Sequence, residues 1–130
     1  MKEFEQLLQK ADWKKEKHVP VLEVKQKDGL VQVEASVGKE IAHPNTTAHY
    51  IAVIELYFLP EGEKFPYLVG RHDFAAHGAS TDGPDTSTVY TEPRVVAVFR
   101  TEKPGTLYAQ SYCNIHGVWV NKEKIEMQTR

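Results

Sequence analysis

Val31, Val33, Ala35 and Val37 alternate with Gln32, Glu34 and Ser36, and a strict period of two places one set on a single face only when the backbone is extended. The chain can therefore bury this stretch as a strand, not as a helix. Lys27-Asp28-Gly29 precedes it with the residues of a tight turn. Short segments of similar character recur at Val19 to Lys25, Ile51 to Leu59, Tyr67 to Phe74, Val95 to Thr101, Leu107 to Cys113 and Val118 to Ile125, each bounded by Gly, Pro, Asn or Asp. About seven strands at such intervals predict an all-β fold, an immunoglobulin-like β-sandwich.

Two regions fall outside this pattern. Phe4, Leu7, Leu8 and Ala11 recur at i, i+3, i+4 and i+7 among Glu, Gln and Lys, so a short N-terminal helix is expected there, packed on the main body. From His77 to Pro93 the chain carries Gly78, Ser80, Asp82, Gly83, Pro84 and Asp85, the composition of a long surface loop. With 130 residues the expectation is a single domain over residues 1–130.

Charge narrows the functional classes. The 18 acidic and 16 basic residues nearly cancel, so no global field favours nucleic acid or an anionic membrane as partner. Residues 1–14 mix Lys, Glu and Gln with Leu, unlike a signal peptide, and no apolar run approaches the roughly 18 residues of a membrane span. One cysteine forms no internal disulfide and leaves its thiol free for metal or nucleophilic chemistry. The reading is a soluble, cytoplasmic protein.

That cysteine lies in Cys113-Asn114-Ile115-His116-Gly117, with a histidine three residues behind it. Thiolate and imidazole on one tight turn make half of a metal site. Upstream lie Glu16-Lys17-His18-Val19-Pro20 and His43-Pro44-Asn45-Thr46-Thr47-Ala48-His49. Together the three segments offer four imidazoles and one sulfur. That count exceeds the four ligands of a structural zinc and points to a five-coordinate redox metal, iron.

Geometry sets a condition on the middle segment. Extended, His43 and His49 would stand about 20 Å apart, and on a helix six positions rotate them off a common face. Only a folded-back loop brings both rings together, and Pro44-Asn45-Thr46-Thr47 has the residues for one. In the last segment the N–H groups of Ile115 and His116 are expected to point at the sulfur. A single histidine is usually a packed or solvated side chain, and that reading is kept for His72 and His77.

These three motifs together resemble the superoxide reductases of the one-iron, neelaredoxin-like kind, over roughly Trp13 to Trp119. The resemblance implies His18, His43, His49 and His116 as equatorial ligands of one iron and Cys113 as its axial thiolate. It implies Glu16 as the carboxylate that takes the sixth position in the oxidised state, and Lys17 as the basic residue beside that face. The implied activity is one-electron reduction of superoxide to hydrogen peroxide. Rubredoxin or a similar small electron carrier is the implied donor, and a homodimer or homotetramer the implied assembly. The four-cysteine iron domain of the longer desulfoferrodoxin relatives has no counterpart in these residues, so one iron centre is implied.

Other readings fit parts of the pattern. A cupredoxin-like electron-transfer protein uses Cys, two His and a nearby Met, but the next methionine here is Met127 and two histidines would go unused. An immunoglobulin-like binding module with incidental histidines would fold fully without metal. A catalytic zinc keeps three protein ligands and a water, fewer than are on offer. Dismutation differs from reduction only in the potential of the iron and the supply of electrons, which no residue pattern reveals.

Overall fold

The computed structural model describes residues 2–127; residue 1 and residues 128–130, the ends of the expected domain, lie outside them. A four-residue helix, α1 (Phe4–Leu7), precedes seven strands: β1 (Val21–Lys27), β2 (Leu30–Ser36), β3 (Ile51–Pro60), β4 (Tyr67–Asp73), β5 (Arg94–Arg100), β6 (Gly105–Cys113) and β7 (Gly117–Ile125). They form two antiparallel sheets, one ordered β1-β2-β5 and the other β4-β3-β6-β7. This is the expected immunoglobulin-like sandwich.

The alternation read from β2 is the alternation of its burial. Val31, Val33 and Ala35 are buried, and they face Ile54, Leu56 and Phe58 of β3 and Leu107 and Ala109 of β6 in one apolar core. The β1–β2 hairpin closes through Asp28 (φ 52°) and Gly29 (φ 79°), with Lys27 paired to Leu30. Two left-handed residues in succession give the turn whose twist matches that of the strands, which explains Asp-Gly at this point. Gly70 serves closure of the other edge, where a Cβ would stand 2.7 Å from that of Ala97 across the sheets.

The N-terminal expectation is met only in part. Glu3 and Gln6 form a capping box, but the helix stops at Leu7 and buries none of its residues. Gln9 is already extended against β7, receiving a hydrogen bond from Val120 N–H at 2.8 Å and donating one to the Val118 carbonyl at 3.0 Å. An open sheet edge offers the backbone partners that a single helical turn lacks, and pairing wins over the helical spacing.

One end of the sandwich gathers the segments that matter. Cys113 at the end of β6 pairs with Gly117 at the start of β7 and with Ile51 at the start of β3. Ala52 is bulged out of the β3–β6 register, bending the chain where the segment carrying His49 enters the sheet. The stretch leading into β1 crosses the same end, tied by Ser111 Oγ donating to the His18 carbonyl at 2.9 Å and Asn121 Nδ2 donating to the Pro20 carbonyl at 2.9 Å.

Candidate metal centre

Cys113 is wholly buried, and the three residues that follow make a short turn which Gly117 leaves at φ 81°, a conformation that favours glycine. The turn brings the His116 N–H over the sulfur at 3.4 Å and His116 Nδ1 to 3.8 Å from it. Of the two amides expected on the sulfur, only that of His116 is bonded to it among the described residues. A turn of this length returns the amide three positions on, whereas that of Ile115 lies at its crown.

The loop from His43 to His49 folds back as its composition requires. Thr46 N–H donates to the His49 carbonyl at 3.0 Å, and Thr46 Oγ1 accepts from His49 N–H at 3.1 Å. Asn114 then stitches this loop to the cysteine turn, accepting from Tyr50 N–H at 2.8 Å and donating to the Ala48 carbonyl at 2.9 Å. His18 arrives from the segment before β1, buried, with Trp119 stacked on its ring at 4.8 Å and 13°.

The donor atoms converge. One ligating atom from each of His18, His43, His49 and Cys113 lies within 4.8 Å of all the others, and His116 Nδ1 joins them 3.1 Å from His18 Nε2. His43 Nδ1 contacts the Pro44 carbonyl at 2.7 Å, an acceptor that fixes the proton on Nδ1 and leaves a lone pair on Nε2. The carboxylate of Glu16 does the same for His18, contacting Nδ1 and leaving Nε2 to face inward. Among the described residues, Nε2 of His43 and of His49 are buried without any hydrogen-bond partner. Buried polar atoms are almost always paired, so two orphaned nitrogens aimed at one sulfur fit a cation as their missing partner.

Electrostatics keeps these rings in the ligating form. Burial is the main force lowering His43, to about 4; the Pro44 carbonyl opposes it, and the charges of His18, His49 and Lys17 reinforce it. His49 is lowered too, by burial first and then by His116, His18 and Lys17. Both rings are neutral at pH 7, as a metal ligand must be. Lys17 is thus close enough to bear on both.

Glu16 is placed differently from the other candidates. Its carboxylate lies outside the converging group, bonded to the backbone N–H of His18 at 2.9 Å and to the His18 ring. Burial works to raise its pKa, but the hydrogen bonds and charge of His18 outweigh that and hold it below the usual carboxylate range. His72 is exposed on β4, and His77 is packed away from the cluster. Met127 lies beyond the far end of the β6–β7 hairpin from Cys113, roughly 27 Å away at the rise of an extended strand, too distant for a cupredoxin-like site.

Several supports were not singled out in the sequence. Ser111 sits at an inward position of β6 among apolar neighbours, and a polar residue at such a position is itself the signal. Gln9 Nε2 and Trp119 Nε1 both donate to the His116 carbonyl, at 2.6 and 3.2 Å; no local pattern announced either.

Comparison with known proteins bears on this geometry. The family model described as Desulfoferrodoxin matches residues 10–122. The superoxide reductase of Pyrococcus furiosus is 60% identical over 119 residues, covering 92% of this chain and 96% of the relative. The neelaredoxin of Megalodesulfovibrio gigas is 46% identical over 125 residues, covering 94% and 96%. Among solved structures, the superoxide reductase (neelaredoxin) from Archaeoglobus fulgidus in the reduced form matches with a TM-score of 0.90 at 63% identity, covering 93% of this chain and 99% of that one.

Proposed function

This chain belongs to the desulfoferrodoxin family, and from that premise we propose that it is a superoxide reductase: an oxidoreductase that reduces superoxide, with one electron and two protons, to hydrogen peroxide. The observation that carries the reading is the convergence of four imidazoles and one thiol in which two buried nitrogens have no hydrogen-bond partner among the described residues. His18, His43, His49, His116 and Cys113 would hold an iron ion. Bound there, iron supplies the electron that superoxide accepts.

The protein side chains supply the rest. His18 and His43 have their outer nitrogens engaged by Glu16 and the Pro44 carbonyl, so their rings are oriented before any ion arrives. Imidazole ligands add no negative charge, so only the Cys113 thiolate would offset the positive charge of a bound iron, leaving the pocket attractive to a small anion. Lys17 contributes a further positive charge beside His43 and His49 and serves to draw superoxide in and to order the water that delivers a proton. Glu16, which contacts the His18 ring, would be a further ligand for the metal in its oxidised state.

Re-reduction needs an external donor. We assign rubredoxin or a similar small electron carrier, docking its acidic surface on the basic run Lys14, Lys15 and Lys17, and a dimeric or tetrameric assembly. The test of the main reading is aerobic purification, iron quantitation and optical spectra of both redox states, followed by superoxide consumption with a chemical reductant. One iron per chain with a sulfur-to-iron absorption band in the oxidised form, and peroxide as product, is the expected result. A chain purified without iron that cannot be reconstituted would defeat it.

A further inference from the structure

His77 is a buried imidazole that the reaction does not use, and Asp85 is a non-glycine residue in the left-handed region at φ 56°, where such residues are uncommon. Both belong to the long excursion between β4 and β5. We propose that His77 and Asp85 are positioning residues for the metal centre, clamping the His43–His49 loop from behind so that its two imidazoles face inward before an ion binds. The inference rests on the metal-binding reading above.

The clamp has three points: Asn45 and Thr47, which lie between His43 and His49, and Tyr50, which directly follows His49. At the first, His77 Nδ1 contacts Asn45 Oδ1 at 2.8 Å while His77 Nε2 contacts the Phe74 carbonyl at 2.5 Å. The orientation of the Asn45 amide is fixed from its other side, where Nδ2 donates to the Thr91 carbonyl at 2.9 Å. At the second point, Asp85 Oδ1 accepts from Thr47 N–H at 2.8 Å and from Thr47 Oγ1 at 3.0 Å, and Asp85 N–H donates back to that hydroxyl at 3.0 Å. At the third, the Tyr50 ring stacks on His77 at 3.8 Å and 14°.

The excursion is built to hold this shape. The Gly78 carbonyl accepts from Thr86 N–H at 2.9 Å and Ser87 N–H at 3.0 Å, and a Cβ on Gly78 would stand 2.9 Å from the Tyr90 ring and 3.0 Å from Asp85 Oδ1. Only glycine lets the Asp85 carboxylate reach Thr47 by that route. Side chains two positions after His43 and two before His49 are thus held outward by a rigid frame. His43 and His49 flank these two fixed positions, so the frame restrains the short loop that carries both rings. Oxygen partners of this kind behind a ligand set typically govern metal affinity, and here they act through the loop backbone, not through the ligand rings.

The metal-free full-length chain is titrated with Co(II), reading affinity and the sulfur-to-cobalt absorption band beside the thermal melting curve. Asp85→Ala and His77→Phe are expected to weaken Co(II) binding by about 10–100-fold and to shift the visible spectrum. Asp85→Asn and Thr47→Ser, which keep the accepting oxygen and the hydroxyl, should stay close to wild type. Lower melting temperatures with wild-type cobalt affinity and spectrum would overturn the proposal, leaving these residues as ordinary scaffold. Should Asp85→Ala fail to fold, Thr47→Val removes only the hydroxyl and carries the same two outcomes. A wild-type chain that takes up no cobalt would instead sink the metal reading, and this one with it.

Discussion

The rings of His43 and His49 stand 4.8 Å apart, centroid to centroid and nearly perpendicular at 79°, although six positions separate them in the chain. Nε2 of each ring is buried where nothing among the described residues hydrogen-bonds to it. An orphaned buried polar group costs about 1–3 kcal/mol, a cost that a bound cation would relieve. Adding ferrous iron or zinc to the apo chain should raise its melting temperature, with a gain of about 2.7 kcal/mol once free metal reaches 100 times its Kd. Calorimetric scans with and without metal check this; coincident curves would count against the site.

Acid should destabilise the metal-free chain for a related reason. Burial first, and then neighbouring charges, lower His43 from 6.5 to about 4. Above pH 6.5 the ring is neutral in both folded and unfolded chains, and it makes no pH-dependent contribution. Between 6.5 and 4 the unfolded chain takes up a proton that the folded one refuses, so stability drops as the pH falls through that window. His49 shifts in the same direction. Urea melts at pH 7.5 and 4.5 measure the difference, and equal midpoints would contradict it.

Lys17 is the charge nearest in sequence to a ring of the cluster and bears electrostatically on two others. Lys17→Ala should slow the second-order reaction with superoxide by about tenfold at low salt, with a smaller loss as ionic strength rises, and should leave iron content unchanged. Pulse radiolysis gives the rate; an unaltered constant would remove Lys17 from the mechanism.

The proposed ligand role of Glu16 is separable from its contact with His18 by mutation. Because it holds the His18 ring, Glu16→Ala should lower metal affinity by about tenfold in either redox state, and should also change the absorption spectrum of the ferric form. Glu16→Gln keeps an oxygen for His18 and is expected to restore affinity but not the spectrum. Loss of both properties in the Gln variant would show that the two roles are inseparable.

Much of this architecture was legible in the sequence because it is locally encoded. The alternation of β2 and the Asp28-Gly29 turn specify strand and hairpin within a dozen residues, and the cysteine turn and the proline-led loop each advertise a reversal. The N-terminal spacing misled beyond Leu7, since the partner that claims Gln9 is a sheet edge more than a hundred residues away. The supports of the centre escaped for the same reason. Asp85 meets Thr47 across 38 positions and Ser111 meets His18 across 93, and no spacing rule reaches so far.

Cys113 is sealed from solvent in the folded chain, and a disulfide between molecules needs two sulfurs within about 2 Å of one another. Covalent cross-linking of one molecule to the next is therefore barred for as long as the sandwich stays closed. A chain with a single thiol working among oxidants thereby avoids aggregating through it, and alkylating reagents become a gauge of opening: the sulfur is labelled only as fast as the end of β6 comes apart.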